Sequence, residues 1–91
     1  MKSAELQDVA EVCGVLANPI RLSIMVILSK GAQPVKVFRR ELKLAHPLAS
    51  YHLMLLRMSG LVDRKRTGKA QIYSLNRERL APVRAFLAKL K

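Results

Sequence analysis

Residues 49–75 constrain the fold of this chain more than any other stretch. The segment from Ala49 to Val62 has the apolar spacing of a helix with one buried face, and the segment from Asp63 to Leu75 has the alternation of a basic β-hairpin with a turn around Gly68. A helix that can enter a groove is therefore followed at once by a charged hairpin. Since sequence-specific DNA binding needs one element to read base edges and another to contact phosphates, this order points to nucleic acid.

The positive charge of the chain is unevenly distributed. The 91 residues carry a net charge of +11, and the basic and acidic residues of positions 1–34 cancel, so the whole excess lies in positions 35–91. Such a polarised charge favours a polyanionic partner. With 51% hydrophobic residues, positions 1–91 are expected to form a single domain whose stability as a lone monomer would be modest.

The composition argues against several other function classes. The longest nearly apolar run, Ile20 to Leu28, is far shorter than the roughly 20 residues of a membrane-spanning helix. With no leader peptide and one cysteine, we expect a cytoplasmic protein without a membrane partner. No carboxylate pair, nucleophile with a base or Gly-rich phosphate loop occurs, so we expect neither catalysis nor a cofactor. RNA binding would need exposed aromatic side chains, and the chain has only Phe38, Tyr51, Tyr73 and Phe86.

Two long apolar helices are predicted in the first third of the chain. The first runs from Ser3 to about Ala17, and the second runs from Pro19 to Lys30 behind an Asn18 cap. Apolar residues lie nearly all round the second helix, so we expect it to be the buried centre of the fold. The apolar stripe of the first helix consists of Leu6, Val9, Ala10, Cys13 and Leu16.

The remaining helices frame the basic hairpin. A short third helix opens at Gln33-Pro34, and a fourth runs from about Pro47 to Met58, so the two make a helix-turn-helix candidate. A last helix is predicted to begin at an Asn76 cap. On the fourth helix an inner stripe is expected to face the core, and it consists of Ala49, Leu53 and Leu56.

Two motifs, Leu16-Ala17-Asn18-Pro19-Ile20-Arg21-Leu22 and the segment from Ser50 through Leu61-Val62, resemble the ArsR family of winged helix-turn-helix repressors over nearly the whole chain. The resemblance implies an all-α fold of five helices with a small two-stranded β-hairpin wing. It also implies a homodimer built by the first and last helices, whose recognition helices enter successive major grooves of a pseudo-palindromic operator. The apolar stripes of those two helices agree, because one small core is not expected to bury them. The dimer-interface residues would be Leu6, Val9, Cys13, Leu80, Val83, Leu87 and Leu90.

The chain departs from the metal-sensing members of that family. Their Cys-x-Cys pair around the third helix is missing, and the only thiol and imidazole side chains of the chain are Cys13, His46 and His52. Soft metals need three or four converging thiolates or imidazoles, so we expect no metal site. Cys13 is expected to be a small buried hydrophobe, with an interchain disulfide as the alternative.

A DNA interface is expected on the fourth helix, the third helix and the wing. For each member the alternative is an ordinary solvated surface position. His46 could cap the fourth helix or contact phosphate, Met54 and Met58 could touch thymine methyl groups or pack on the third helix, and His52 is expected to be a partly buried structural residue. The predicted DNA-binding residues are Lys36, Arg39, Arg40, Pro47, Ser50, Tyr51, Met54, Arg57, Arg64, Lys65, Arg66, Lys69 and Gln71.

Together these patterns predict a sequence-specific regulator of transcription that binds double-stranded DNA. We expect a homodimeric repressor that acts by occluding a promoter and is not a cysteine-based metal sensor. The alternative is an architectural protein that coats DNA with low specificity, because the charge is high for a repressor. The sequence names no effector.

Overall fold

Five helices and one small sheet account for the structure, a computed structural model that describes all 91 residues. The sheet is antiparallel with the strand order β1-β3-β2. This arrangement confirms the predicted winged helix-turn-helix fold class. The elements are α1 (Ser3–Leu16), α2 (Pro19–Leu28), β1 (Gln33–Pro34), α3 (Val35–Leu42), α4 (His46–Met58), β2 (Val62–Thr67), β3 (Ala70–Leu75), a 3-10 turn (Arg77–Leu80) and α5 (Ala81–Lys89).

A third strand joins the wing, which the sequence predicted to have two. Gln33 pairs with Tyr73 and Pro34 pairs with Ile72, so the short β1 lies against β3. The expectation that the third helix opens at Gln33-Pro34 is therefore wrong, and α3 begins at Val35. Pro34 has an extended backbone, and at the edge of a sheet its missing N–H removes no necessary ladder bond.

The core forms where α2, α3, α4 and the sheet converge. Phe38 of α3 meets Tyr73 of β3 edge to face, with ring centroids 6.4 Å apart and an interplanar angle of 81°. This contact anchors the third helix to the base of the wing, and the inner face of α4 packs beside it. The core cluster comprises Val12, Ile24, Leu28, Phe38, Leu53, Leu56, Leu61, Val62 and Tyr73.

The second helix is not the wholly buried centre that was expected. Ile24 and Leu28 are buried, but Leu22 is exposed and Val26 is 60% exposed. Because α2 packs through one face, its 3.6-residue period leaves the opposite apolar side chains uncovered in the single chain.

The first helix is rotated relative to the predicted stripe. Its buried residues are Val9 and Val12, whereas Leu6, Ala10 and Cys13 are exposed. The expectation that Cys13 is a buried hydrophobe is therefore wrong for the single chain. The physical reason is that α1 carries apolar residues on two adjoining faces, and only the face around Val12 meets the core.

The last helix begins later than predicted. Asn76 does not cap it, and its side-chain amide instead donates to the Gly60 carbonyl at 3.1 Å. The 3-10 turn at Arg77–Leu80 follows, and α5 then packs along α1. The α1 and α5 pair thus forms one layer of the molecule.

No one helix has the length and apolar character to cross a bilayer. Helices α1 and α2 pass such a test only when taken together, on length and composition alone, and they meet at an angle of 96°.

Candidate nucleic-acid interface

Helix α4 divides into a buried face and an exposed face. Its inner stripe of Ala49, Leu53 and Leu56 is completely buried, as the sequence predicted. Because residues three and four apart share a face, the opposite side of α4 carries Tyr51, which is 50% exposed, and Met58, which is 75% exposed. The predicted contact residues on this outward face are Pro47, Ser50, Tyr51, Met54 and Arg57, all exposed except the half-buried Ser50.

A tight turn sets α4 against α3. Lys43 ends α3 with a φ of 54° and a ψ of 46°, a left-handed conformation that is uncommon for a residue with a side chain. Leu44 and Ala45 complete the connection, and α4 starts at His46 and Pro47, where the missing proline N–H costs little. The N-cap position is Ala45, and no side chain caps the helix, so the structure does not support the capping role considered for His46.

The exposed side of α3 is basic. Lys36, Arg39 and Arg40 are all exposed, while Phe38 on the other side is buried. Arg40 lies 3.5 Å from Glu41, but both side chains are more than half exposed, so this ion pair contributes little to stability. The helix therefore presents three exposed cations, of which Lys36 lies beside the start of α4, whereas Arg40 lines a groove on the side of α2.

The wing separates its cations between the two faces of the sheet. Arg64 pairs with Tyr73 and Arg66 pairs with Gln71 across the β2–β3 ladder, so their side chains share the face that packs on α3. Lys65 pairs with Ile72 and projects from the other face. At the tip Gly68 has a φ of 61°, and the Arg66 Nε–H donates to the Gly68 carbonyl at 3.3 Å.

A concavity of about 330 Å³ joins these elements at the start of α4. It brings together the predicted contact residues Lys36, Ser50, Lys69 and Gln71 and adds His46, which the sequence analysis left undecided. No acidic side chain lines it. The lining residues are Pro34, Val35, Lys36, His46, Ser50, Lys69, Ala70, Gln71 and Tyr73.

The predicted dimer residues fall into two groups. Val9 is buried within the single chain, and Leu80 and Val83 are partly buried against its core. Leu6 and Cys13 of α1 are exposed, as are two residues near the carboxyl end of the chain, Leu87 and Leu90.

The comparisons with known proteins agree with this geometry. No protein-family model matches the chain. It is 32% identical over 80 residues to the HTH-type transcriptional repressor SmtB of Mycobacterium tuberculosis, across 87% of this chain and 59% of SmtB. It is also 35% identical over 80 residues to the HTH-type transcriptional regulator Rv0324 of the same organism, across 88% of this chain and 35% of that protein.

A solved structure extends the likeness over the whole fold. The winged helix-turn-helix DNA-binding domain of Mb0332 from Mycobacterium bovis, described as homodimeric and as a possible ArsR-family regulator, has a TM-score of 0.78 and 32% identity. The alignment covers 98% of this chain and 82% of that domain. The chain belongs to the ArsR/SmtB family. It spans 59% and 35% of the lengths of the two curated relatives.

Metal-ligand side chains do not converge anywhere in this family member. No group of three or more His, Cys, Asp or Glu residues lies close enough to hold a metal ion. Cys13 is on the exposed side of α1, and His46 and His52 lie on α4. The donor set required by a thiolate or imidazole metal centre is therefore not assembled in the single chain.

His52 connects α4 to the amino-terminal helices. It is buried, more fully than the partly buried position that was expected, and its Nδ1 lies 3.2 Å from Nη1 of Arg21. Arg21 also donates from Nε to the Val15 carbonyl at the end of α1, at 2.5 Å. Burial, and secondarily the positive charge of Arg21, lowers the pKa of His52 from 6.5, because both disfavour the imidazolium.

The lowered pKa of His52 predicts that stability declines in mild acid. Above pH 6.5 His52 is neutral in the folded and unfolded chains, but below 6.5 the unfolded chain takes up a proton that the folded chain resists. The free energy of unfolding should therefore decrease as the pH falls from that value through the lower pKa of the folded state. Urea unfolding at about pH 7.5 and about pH 5.5 measures the change.

Two variants assign this pH dependence to a residue. His52→Gln should lose most of it, because the amide does not titrate in this range, whereas His46→Gln should retain it. Equal pH dependence in His52→Gln and the parent chain would contradict the assignment.

Proposed function

We propose that this chain is a homodimeric repressor that binds double-stranded DNA sequence-specifically and acts by occupying promoter DNA. The observation that supports this most strongly is the exposed face of α4, which lies between the basic side of α3 and the wing and borders a concavity without acidic groups. In this proposal α4 enters the major groove, Ser50 and Tyr51 contact base edges, and Met54 contacts a thymine methyl group.

The cations around α4 supply the sequence-independent part of binding. The DNA backbone crosses α3, the first helix of the helix-turn-helix, and is contacted there by Lys36, Arg39 and Arg40. Arg57 contacts the DNA backbone from the last turn of α4. The concavity would hold a phosphate between Lys36 and Lys69, within reach of Gln71. The flanking phosphates or the minor groove are contacted by the wing residues Arg64, Lys65 and Arg66. Pro47 lies in the first turn of α4, where this helix enters the major groove.

Homodimerisation supplies the second recognition helix. After α1 and α5 pack together, Leu6 and Cys13 of α1 remain exposed, and so do Leu87 and Leu90, which are 58% and 64% exposed. A two-fold contact through this layer would cover that surface and place two copies of α4 on successive major grooves of a pseudo-palindromic operator. The related Mb0332 domain is described as homodimeric, and SmtB is named a repressor.

The signal remains open within this proposal. With no cluster of metal ligands in the chain, we propose a repressor that does not sense metal through cysteines. Since a repressor must reach the chromosome, the proposal places it in the cytoplasm. The alternative signal is oxidation, through a disulfide between the exposed Cys13 thiols of the two chains.

The base-reading role of α4 is tested with the tightest-binding duplex selected from a random DNA pool. The double variant Ser50→Ala/Tyr51→Ala should lose about 1–3 kcal/mol of binding free energy for the selected duplex and almost none for a random duplex. The salt dependence of the double variant's affinity should match that of the parent chain, because the phosphate contacts remain. By contrast, Arg66→Ala should weaken binding to both duplexes and reduce the salt slope by about 1.

The control variant is Lys30→Ala, which removes one exposed charge just after α2, at a position that belongs to neither the predicted DNA-binding nor the predicted dimer residues, and should leave binding unchanged. The net charge of +11 favours the low-specificity architectural alternative. Titrations of both duplexes at several salt concentrations separate the two functions. Equal affinity of the parent chain for selected and random duplexes at every salt concentration would contradict sequence-specific repression.

The dimer is tested by placing charges on its proposed apolar surface. Leu87→Glu/Leu90→Glu should make the chain monomeric, because carboxylates would be desolvated at the interface. Its affinity for the selected duplex should fall, since two linked half-site contacts become one. Sedimentation equilibrium measures the mass, and Val26→Glu, on an α2 residue that is 60% exposed, should remain dimeric. A parent chain that sediments as a monomer would contradict the proposal.

A further inference from the structure

A groove of about 580 Å³ runs between α1 and the recognition helix α4. Two arginines that line it, Arg21 and Arg79, join the two helices. Arg21 connects the Val15 carbonyl of α1 to His52 of α4. Arg79 makes the second connection from outside the helix-turn-helix, because it belongs to the 3-10 turn that leads into α5.

All three nitrogens of the Arg79 guanidinium are engaged within the protein. Nη1 and Nη2 lie 3.1 Å and 2.9 Å from the two carboxylate oxygens of Asp8 on α1. Nε donates to the carbonyl of Ser59, the residue that ends α4, at 2.8 Å. The stem of Arg79 covers Gly60, where a Cβ would lie 3.3 Å from its Cδ. The bidentate ion pair between Arg79 and Asp8 fixes the orientation of both side chains.

The two arginine connections lie at matching separations on the two helices. Asp8 and Val15 are seven residues apart on α1, as are His52 and Ser59 along α4, so each pair spans about 10 Å. Arg79 joins Asp8, near the start of α1, to Ser59, just after α4, whereas Arg21 joins Val15, near the end of α1, to His52. The two helices therefore run in opposite directions. The buried stripe of α4 fixes which face meets the core, and two polar connections this far apart further restrict the angle of α4 to α1.

We infer that Arg79 is a positioning residue for DNA recognition, which holds the angle of α4 against α1 through Asp8 and the Ser59 carbonyl. The inference rests on the proposed DNA-binding function, because the angle of α4 decides whether Ser50 and Tyr51 meet base edges. Each guanidinium nitrogen of Arg79 is already held by Asp8 or by the Ser59 carbonyl, and the side chain is only 22% exposed, so Arg79 is poorly placed to contact phosphate. It therefore acts on specificity through α4, and through α1 it links the reading helix to the layer proposed to form the dimer.

Removing either member of the ion pair tests this inference. Arg79→Ala and Asp8→Ala should each weaken binding of the selected duplex by roughly threefold to thirtyfold and leave binding of a random duplex almost unchanged. A purely electrostatic effect would have opposite signs in the two variants, because one loses a positive charge and the other loses a negative charge. In both, backbone amide resonances of residues 55–60 should shift relative to the parent chain.

Three further variants complete the experiment. Asp8→Glu should restore binding, and Arg79→Lys should be intermediate, because an ammonium cannot serve both carboxylate oxygens and the Ser59 carbonyl. If Arg79→Ala or Asp8→Ala unfolds, the affinities of Asp8→Glu and Arg79→Lys for the two duplexes are compared with the parent chain instead. Arg84→Ala is the matched control, since the exposed Arg84 makes one hydrogen bond, to the Arg77 carbonyl at 3.1 Å, and its loss should have no effect.

Each outcome decides the inference. Parent-like preference for the selected duplex in folded Arg79→Ala and Asp8→Ala chains would overturn it. A loss confined to Arg79→Ala would overturn it as well, because Arg79 would then act by its charge. If the parent chain prefers no duplex at all, the proposed function fails, and this inference fails with it.

Discussion

Ala49, Leu53 and Leu56 are completely buried, and this inner stripe decides which side chains of α4 remain available for contact. Because a helix has a fixed period, burying these three residues directs Ser50, Tyr51 and Met54 away from the core. The packing of Phe38 on Tyr73 places the basic side of α3 and the base of the wing next to that outward face. The arrangement of the proposed interface thus follows from hydrophobic packing on its hidden side.

Polar connections add orientation to that packing. The stripe fixes which face of α4 is buried, but apolar contacts alone are tolerant of small rotations. Arg21 and Arg79 connect α4 to α1 at two separated points, and Asn76 holds the Gly60 carbonyl just beyond the helix. The orientation of α4 and of the residues just after it is therefore set in part by hydrogen bonds to buried or half-buried groups, because hydrogen bonds have strict geometry.

The fold class followed from local patterns, whereas several details did not. The inner stripe of α4 and the hairpin around Gly68 were predictable, because helical and strand periods are visible in neighbouring residues. The strand at Gln33-Pro34 was not, since its partners Tyr73 and Ile72 lie some 40 positions away. The periodicity of α1 and α2 could not show which of two apolar faces meets the core, so Cys13 and Val26 were misplaced.

The candidate DNA interface was likewise predictable where it depends on neighbouring residues and not where it depends on distant ones. Residues of the proposed interface lie on the exposed face of α4, on the basic side of α3 or on the wing, so spacing and charge were enough to nominate them. The Arg79 connection was invisible in the sequence, because Asp8 and Ser59 come near it only after α1, α4 and the 3-10 turn pack together. His46 carried one usable signal, its place at the first turn of α4, but that signal fitted two roles equally.

Hydroxyl-radical footprinting of the parent chain on its selected duplex tests the central claim most directly, since that claim requires two copies of α4 on adjoining major grooves. The account predicts two discrete protected half-sites centred about one helical turn apart, roughly 34–36 Å along the DNA. Continuous protection that spreads along the duplex with protein concentration would contradict it.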